Sequence, residues 1–506
     1  MPRRCFCGFG LWTVWLLGAP VGAATFKAGF AERDVSPEIG MEAPGGYGKA
    51  YHRAFHDPCK VRAAVFDDGK VRIAIVGIDA LVIRGATVSA AREAIKKRCG
   101  IEPDHVLVSA SHTHSGGPTG MFLPGEFDKA EPLVKRLVTE KTVIGDPKYL
   151  AKVEQGIADA VVAADSARVE AKAGAAYGSE NKVAFNRRFK MKNGLTFTHP
   201  GQGNPDIIEP AGPTDPQVGV LGVWDAKGAF LGCVVNFACH ATTSPGGISA
   251  DYVHYIEKTI RGLMGAKAVV VFLPGMAGDV TQVDNRSPHL IKQSGEVASR
   301  FVGGRVGAEA VKVLLALEQG AGRLSPLVAR SKRLAIPRRA PKPERVARAR
   351  ALMEKDPKGT DPTEWTFAKE TVLLDARIKI EPVVPVEVQA IEIGPVVLLA
   401  CPAEYFCQFG LDMKAGSGFP ITFPVSMAND SIGYVPTAEA LGPGGGGYET
   451  RLTSYSNLIP GAGRTIANSL IDLARGLHPG PSPGPAPLPR FTGKPWAYGD
   501  VPPELD

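Results

Sequence analysis

Short apolar runs of strand character alternate along the chain with longer stretches of helical periodicity. The runs at 71–78, 105–110, 219–224, 230–237, 268–273, 386–393 and 396–400 predict strands. Amphipathic stretches at 86–97, 149–163, 252–264, 296–317 and 465–477 predict helices. Such alternation predicts an α/β fold of layered mixed β-sheets flanked by helices, with candidate chemistry at the strand ends. No internal repeat interrupts it. A basic stretch from Arg330 to Arg350 reads as a solvated helix face with its lead-in loop.

Both ends depart from this pattern. Arg3 and Arg4 precede an apolar run over 9–17 and the small residues Val21, Gly22, Ala23 and Ala24, the signature of a signal peptide cleaved after Ala23. Its apolar core is shorter than the ~20 residues a membrane span needs, so the expectation is export to a secreted or periplasmic location. Past His478, nine prolines fall in the last 28 residues, which predicts an extended, polyproline-like tail over 479–506.

Composition narrows the class. A chain of 506 residues with 44% hydrophobic positions can bury a sizeable core. Its formal charge of +7 is small for this length, and no dense basic block alternates with aromatics, which argues against a nucleic-acid groove. Six cysteines lie beyond the candidate signal peptide: Cys59, Cys99, Cys233, Cys239, Cys401 and Cys407. They are too few for a disulfide scaffold and show no CxxC spacing, so buried thiols are expected, with one or two pairs open in an oxidising compartment.

Three predicted strands lead to candidate ligands. The run at 105–110 continues into Ser111-His112-Thr113-His114-Ser115-Gly116-Gly117. In extended backbone alternate side chains share a face, so His112 and His114 would point the same way at the strand end. Structural histidines would explain an HxH alone equally well. His240 follows the strand-like Val234-Val235-Asn236-Phe237-Ala238-Cys239, and Glu404 follows the run that ends at Ala400. By itself Glu404 also fits an acid at a helix start. A His/His/carboxylate set would suit zinc, leaving positions for a water whose pKa falls to about 7.

These segments belong to a longer ordered series. Gly45-Gly46-Tyr47-Gly48, His56-Asp57-Pro58, the His112 segment, Asn186-Arg187 and the His240 strand are followed by Ile248-Ser249-Ala250-Asp251-Tyr252 and Gly278-Asp279-Val280-Thr281. Pro402-Ala403-Glu404-Tyr405-Phe406, Gly433-Tyr434-Val435-Pro436-Thr437 and Tyr448-Glu449 complete it. In their order these motifs resemble the neutral/alkaline, non-lysosomal ceramidases, zinc amidohydrolases that cleave the N-acyl bond of ceramide. The resemblance implies one catalytic domain over 24–478.

It further implies that His112, His240, Glu404 and Tyr434 hold Zn2+, with His114 beside the metal and suited to protonating the leaving amine. Arg187 and Tyr448 would hydrogen-bond the amide oxygen and the developing oxyanion. Thr281 stands where the family carries a catalytic serine. Two departures accompany it: the glycine-rich Gly442-Pro443-Gly444-Gly445-Gly446-Gly447, expected to be flexible, and the tail where characterised ceramidases carry an immunoglobulin-like domain. The expected activity is hydrolysis of a small-molecule or lipid N-acyl amide, a lipid bringing peripheral contact with a membrane surface. An esterase on the same site, or a non-catalytic lipid- or carbohydrate-binding protein of this fold, are the alternatives.

Overall fold

The computed structural model describes residues 26–289, 292–355, 359–485, 487–499 and 501–505. The candidate signal peptide, residues 1–23, lies outside them. Eight strands form the larger sheet: β1 Lys27–Asp34, β2 Lys60–Asp67, β3 Arg72–Ile78, β4 Val106–Ala110, β5 Val169–Ser179, β6 Gln217–Asp225, β7 Phe230–Phe237 and β8 Val269–Pro274. Their spatial order is β8-β7-β6-β5-β1-β2-β3-β4. A second sheet, in the order β9-β10-β11-β12, contains β9 Leu327–Pro337, β10 Val383–Ile393, β11 Val396–Ala400 and β12 Ile421–Val425. The expected α/β fold of mixed sheets and flanking helices is the fold observed.

Alternation along each strand decides which layer it faces. In β3, Ile73 and Ile75 turn toward the second sheet's Ile391, Val396 and Leu398, whereas Ala74 and Val76 meet the helices Gly85–Cys99 and Pro147–Ser166. In β7, Val234 joins the inner core while Cys233 and Val235 pack under Tyr252–Met264 and Glu296–Glu318. The outer face of the second sheet carries Val386, Val388 and Leu399 against Cys407–Gly416 and Ala462–Arg475. Apolar burial of this kind stabilises by about 1.5–3 kcal/mol per large side chain. Sheets thus line the interior and helices cover them.

One seam shapes the site. β1 and β5 pair only through Lys27↔Glu170 and Ala28↔Val169, so the larger sheet bends there and brings β8 against β3. Gly77 makes the approach possible: a Cβ on it would lie 2.5 Å from the Phe272 carbonyl oxygen. Strands at opposite ends of the sheet order therefore become neighbours.

Several expectations need adjusting. The basic stretch is not a helix with a loop before it. Its first part is the edge strand β9, whose exposed Lys332 and Arg333 leave an unpaired edge charged, and its second part is the helix Pro343–Met353. The glycine-rich segment is pinned rather than loose: Arg188 donates to Gly446 O at 2.8 and 3.2 Å, and Thr196 Oγ1 donates to Gly444 O at 2.9 Å. All six cysteines are unpaired. No helix among the described residues is long and apolar enough to cross a membrane.

Candidate metal centre

The loops that leave β4, β7 and β11 at their C-terminal ends converge on one point. His112 does not reach it by strand alternation, because β4 stops at Ala110 and His112 sits at φ 63°, in the left-handed region that non-glycine residues rarely adopt. Its ring lies 5.0 Å from that of His114 and 4.7 Å from that of His240. The ring nitrogens of the three histidines lie within 4.8 Å of one another. Glu404 joins them from the two-residue strand Glu404–Tyr405, which pairs in parallel with Tyr434–Val435 so that Glu404 lies opposite Tyr434.

The hydrogen-bond pattern defines the chemistry. Each of two Nδ1–H groups donates to a backbone carbonyl: His112 to Leu81 O at 2.8 Å and His240 to Ala277 O at 2.7 Å. Carbonyls only accept, so these bonds fix the tautomer and aim Nε2 inward. His112 Nε2 and His240 Nε2 stand 3.2 and 3.3 Å from the same Glu404 Oε2. Among the described residues all three atoms are buried without a hydrogen-bond partner. Burial, reinforced by Arg187, pushes His240 down to about 3, so its Nε2 presents a lone pair at neutral pH. Acceptors facing each other this closely repel unless a cation or a shared proton lies among them. A buried histidine group able to hold a metal is therefore present, and its donor set fits a divalent ion such as zinc.

His114 packs its ring on Gly45, where a Cβ would lie 2.4 Å from Nδ1. Burial, followed by the neighbouring imidazoles, holds it well below its ordinary pKa, and its Nε2 is also buried and unpartnered. Tyr434 and Tyr448 line the same cavity with their hydroxyls 2.9 Å apart. Burial pushes both phenols up, so they stay protonated donors.

Arg187 is engaged by protein partners behind the cavity wall. Its Nε donates to Glu449 Oε1 at 2.7 Å, and one terminal nitrogen donates to Gly278 O at 2.7 Å and Tyr434 Oη at 3.1 Å. It therefore orients Tyr434 from behind. Thr281 lies near but does not line the cavity: its Oγ1 donates to Gln282 Oε1 at 2.8 Å, and Thr242 Oγ1 donates to the same oxygen at 2.9 Å.

Residue-level reading missed Glu449, which is fully buried, binds Arg187 and accepts from Thr198 Oγ1 at 2.6 Å. Its motif was visible; a buried arginine's need for a carboxylate was the unused signal. Also missed were the carbonyl partners of the histidines and the role of Tyr252, whose hydroxyl donates to Cys239 O at 2.6 Å and steadies the backbone before His240.

The cavity beside the histidines has a volume of about 340 Å3 and mostly apolar walls that include Leu81, Met121, Val143 and Phe367. A larger cavity of about 600 Å3, with Phe185, Gln282 and Phe301 in its wall, contains none of the four ligand candidates.

Comparison with solved structures places the fold. The neutral ceramidase from Pseudomonas aeruginosa aligns with a TM-score of 0.68 at 20% identity, over 92% of this chain and 76% of that one. The fold is that of neutral ceramidase. A ceramidase complexed with C2 aligns with a TM-score of 0.66 at 19% identity, over 92% of this chain and 77% of its own. No protein-family model and no curated protein sequence matches the chain. At this identity the likeness to the ceramidases is one of fold, and the chemistry rests on the residues described above.

Proposed function

We propose that this chain is a zinc-dependent hydrolase of N-acyl amides, with His112, His240 and Glu404 as metal ligands and Tyr434 beside them. The observation that carries the reading is the set of three mutually facing, buried acceptor atoms at the floor of an apolar cavity. The solved structures of like fold are ceramidases, which supports a lipid amide as substrate.

A zinc ion held there would polarise the amide carbonyl and lower the pKa of a water to about 7. The protein supplies the rest. Apolar walls take the acyl chain and exclude bulk water. Of the Tyr434–Tyr448 pair, whose hydroxyls bond each other, one hydroxyl hydrogen is left for the carbonyl oxygen, where donors fixed in advance stabilise developing negative charge. Arg187, itself held by Glu449, keeps Tyr434 in register. His114 is neutral, so its Nε2 can accept a proton from the attacking water and pass it to the departing nitrogen. Residues 1–23 would direct export, where a lipid substrate is met at a membrane surface.

Turnover of matched acyl-amide and acyl-ester panels, with and without a chelator, tests this. Amide hydrolysis that the chelator abolishes and added zinc restores is the expected result. Ester-only turnover would move the assignment to an esterase.

A further inference from the structure

The cavity beside the histidines has a size, and the size carries information about the substrate. At about 30 Å3 per methylene, close to the liquid volume of a water molecule, its 340 Å3 holds roughly eleven heavy-atom groups. The amide and its first amine carbon occupy about four of these, which leaves space for about seven more carbons, an acyl chain of about eight with the carbonyl carbon. From this we infer that the site is a single compartment for a medium acyl chain of about eight carbons, so that the favoured substrates are medium-chain N-acyl amides. The inference rests on the reading of this site as an N-acyl amide hydrolase.

The compartment is held at that size. Lys369 is fully buried and ties three wall segments together: Nζ donates to Tyr47 O, to Lys141 O at 3.1 Å and to Thr142 Oγ1 at 3.3 Å, and it pairs with Glu370 at 3.1 Å. Glu370 in turn accepts from Ser454 Oγ. Displacing any of these segments would strand a buried charge, which resists widening of the wall. Gly120, at φ 73°, packs so closely on Gly145 that a Cβ would lie 2.1 Å from its backbone nitrogen. At the rim Tyr47 is 38% exposed, and its ring contacts Phe367 and Tyr455 at centroid distances of 5.7 and 5.5 Å. A chain longer than the compartment passes this rim and leaves its further methylenes in water. Length should therefore stop helping, rather than start to hurt.

The test uses the full-length, zinc-supplemented protein and N-acyl derivatives of one small amine, from two to sixteen carbons. Burying a methylene is worth about fourfold, so kcat/KM is expected to rise about fourfold per carbon to about eight carbons and then level off. A rise that continues to sixteen carbons, or no dependence on length, would overturn the inference. Calorimetric binding of saturated carboxylates of the same lengths, each below its micellar concentration, reads the compartment without turnover. A break near eight carbons with no amide hydrolysed would sustain the compartment and defeat the hydrolase reading. Absence of a break in both series would defeat the compartment. Phe367→Ala enlarges the wall and should move the break to longer chains; an unmoved break would place the acyl chain elsewhere.

Discussion

Two of the buried charge clusters in this molecule are built on opposite rules. Around Arg62 every group is answered. Its Nε donates to Glu257 at 2.8 Å and one terminal nitrogen donates to Asp79 at 2.7 Å, while Lys60 adds a backbone bond to Asp79 at 2.8 Å and an ammonium bond to Glu257 at 2.7 Å. Around Glu404 the opposite holds: two imidazole nitrogens and a carboxylate oxygen face one another without a donor. Burial is almost equal in the two, with Arg62 at 2%, Asp79 at 1%, His240 at 3% and Glu404 at 7% exposed. Satisfied charges fix the packing of the larger sheet on the helix Tyr252–Met264, whereas unsatisfied ones mark a place for something the chain does not itself supply.

Substitutions can break this contrast directly. The largest effect is expected for His240→Ala, which should lower zinc-supported turnover on the order of 10³-fold or more, since it removes a ligand of the Lewis acid. In metal-free protein the same change should cost no more than about 2 kcal/mol, because relief of crowding between acceptors offsets part of the lost packing and of the lost bond to Ala277 O; a larger loss in urea unfolding would make His240 a structural residue. Arg62→Met should do the reverse. Stripped of that cation, Asp79 becomes an uncompensated buried charge while Glu257 keeps Lys60 and Arg261, and stability should fall by about 3–5 kcal/mol while zinc uptake by the folded fraction persists.

A pH series sharpens the comparison further. Burial, outweighing Arg62, pushes Asp79 up to about 6, whereas Arg62 and Lys60 outweigh burial at Glu257 and hold it down to about 2. The depressed Glu257 contributes stability that is present above its unfolded value near 4.5 and is lost as pH falls through 2. The raised Asp79 contributes stability that is present below its unfolded value near 3.8 and is lost as pH rises through 6. Together they place the maximum of this cluster near pH 4, with limbs of up to ~3 kcal/mol. Asp79→Asn should flatten the limb between about pH 4 and 6 and spare the acid limb; equal flattening of both would show that the two carboxylates titrate as one unit.

The smallest effect concerns Thr281. Its hydroxyl is engaged with Gln282, so Thr281→Val should cost about 1 kcal/mol of stability and change kcat by less than threefold. A hundredfold loss of kcat at unchanged zinc content would instead put the hydroxyl at the reacting atoms.

What could be read from the sequence follows from how local each signal is. The continuous apolar run Phe230–Phe237 and the amphipathic helix Tyr252–Met264 carry their own periodicity and were legible to the residue. Strand β9 was not, because its cations face solvent on an open edge. The helix Pro362–Ile380 was not, because it buries Lys369 and Glu370, whose polar character hides an inward face. The histidine pair could be seen as a motif, but its geometry could not: the left-handed turn at His112 depends on contacts with Leu81 and Ala241. The Glu404–Tyr434 pairing, two residues long, has no periodicity to read. Glu449 meets Arg187 across 262 positions and Lys369 meets Tyr47 across 322, distances over which only the assembled fold conveys partnership.

The central claim is that the unsatisfied cluster is a metal centre, and calorimetric titration of metal-free full-length protein with zinc tests it most directly. The account predicts one zinc bound per chain, a melting temperature that rises with occupancy, and binding at least tenfold weaker in Glu404→Gln. Absence of zinc uptake, or uptake equally tight in Glu404→Gln and His240→Ala, would contradict it.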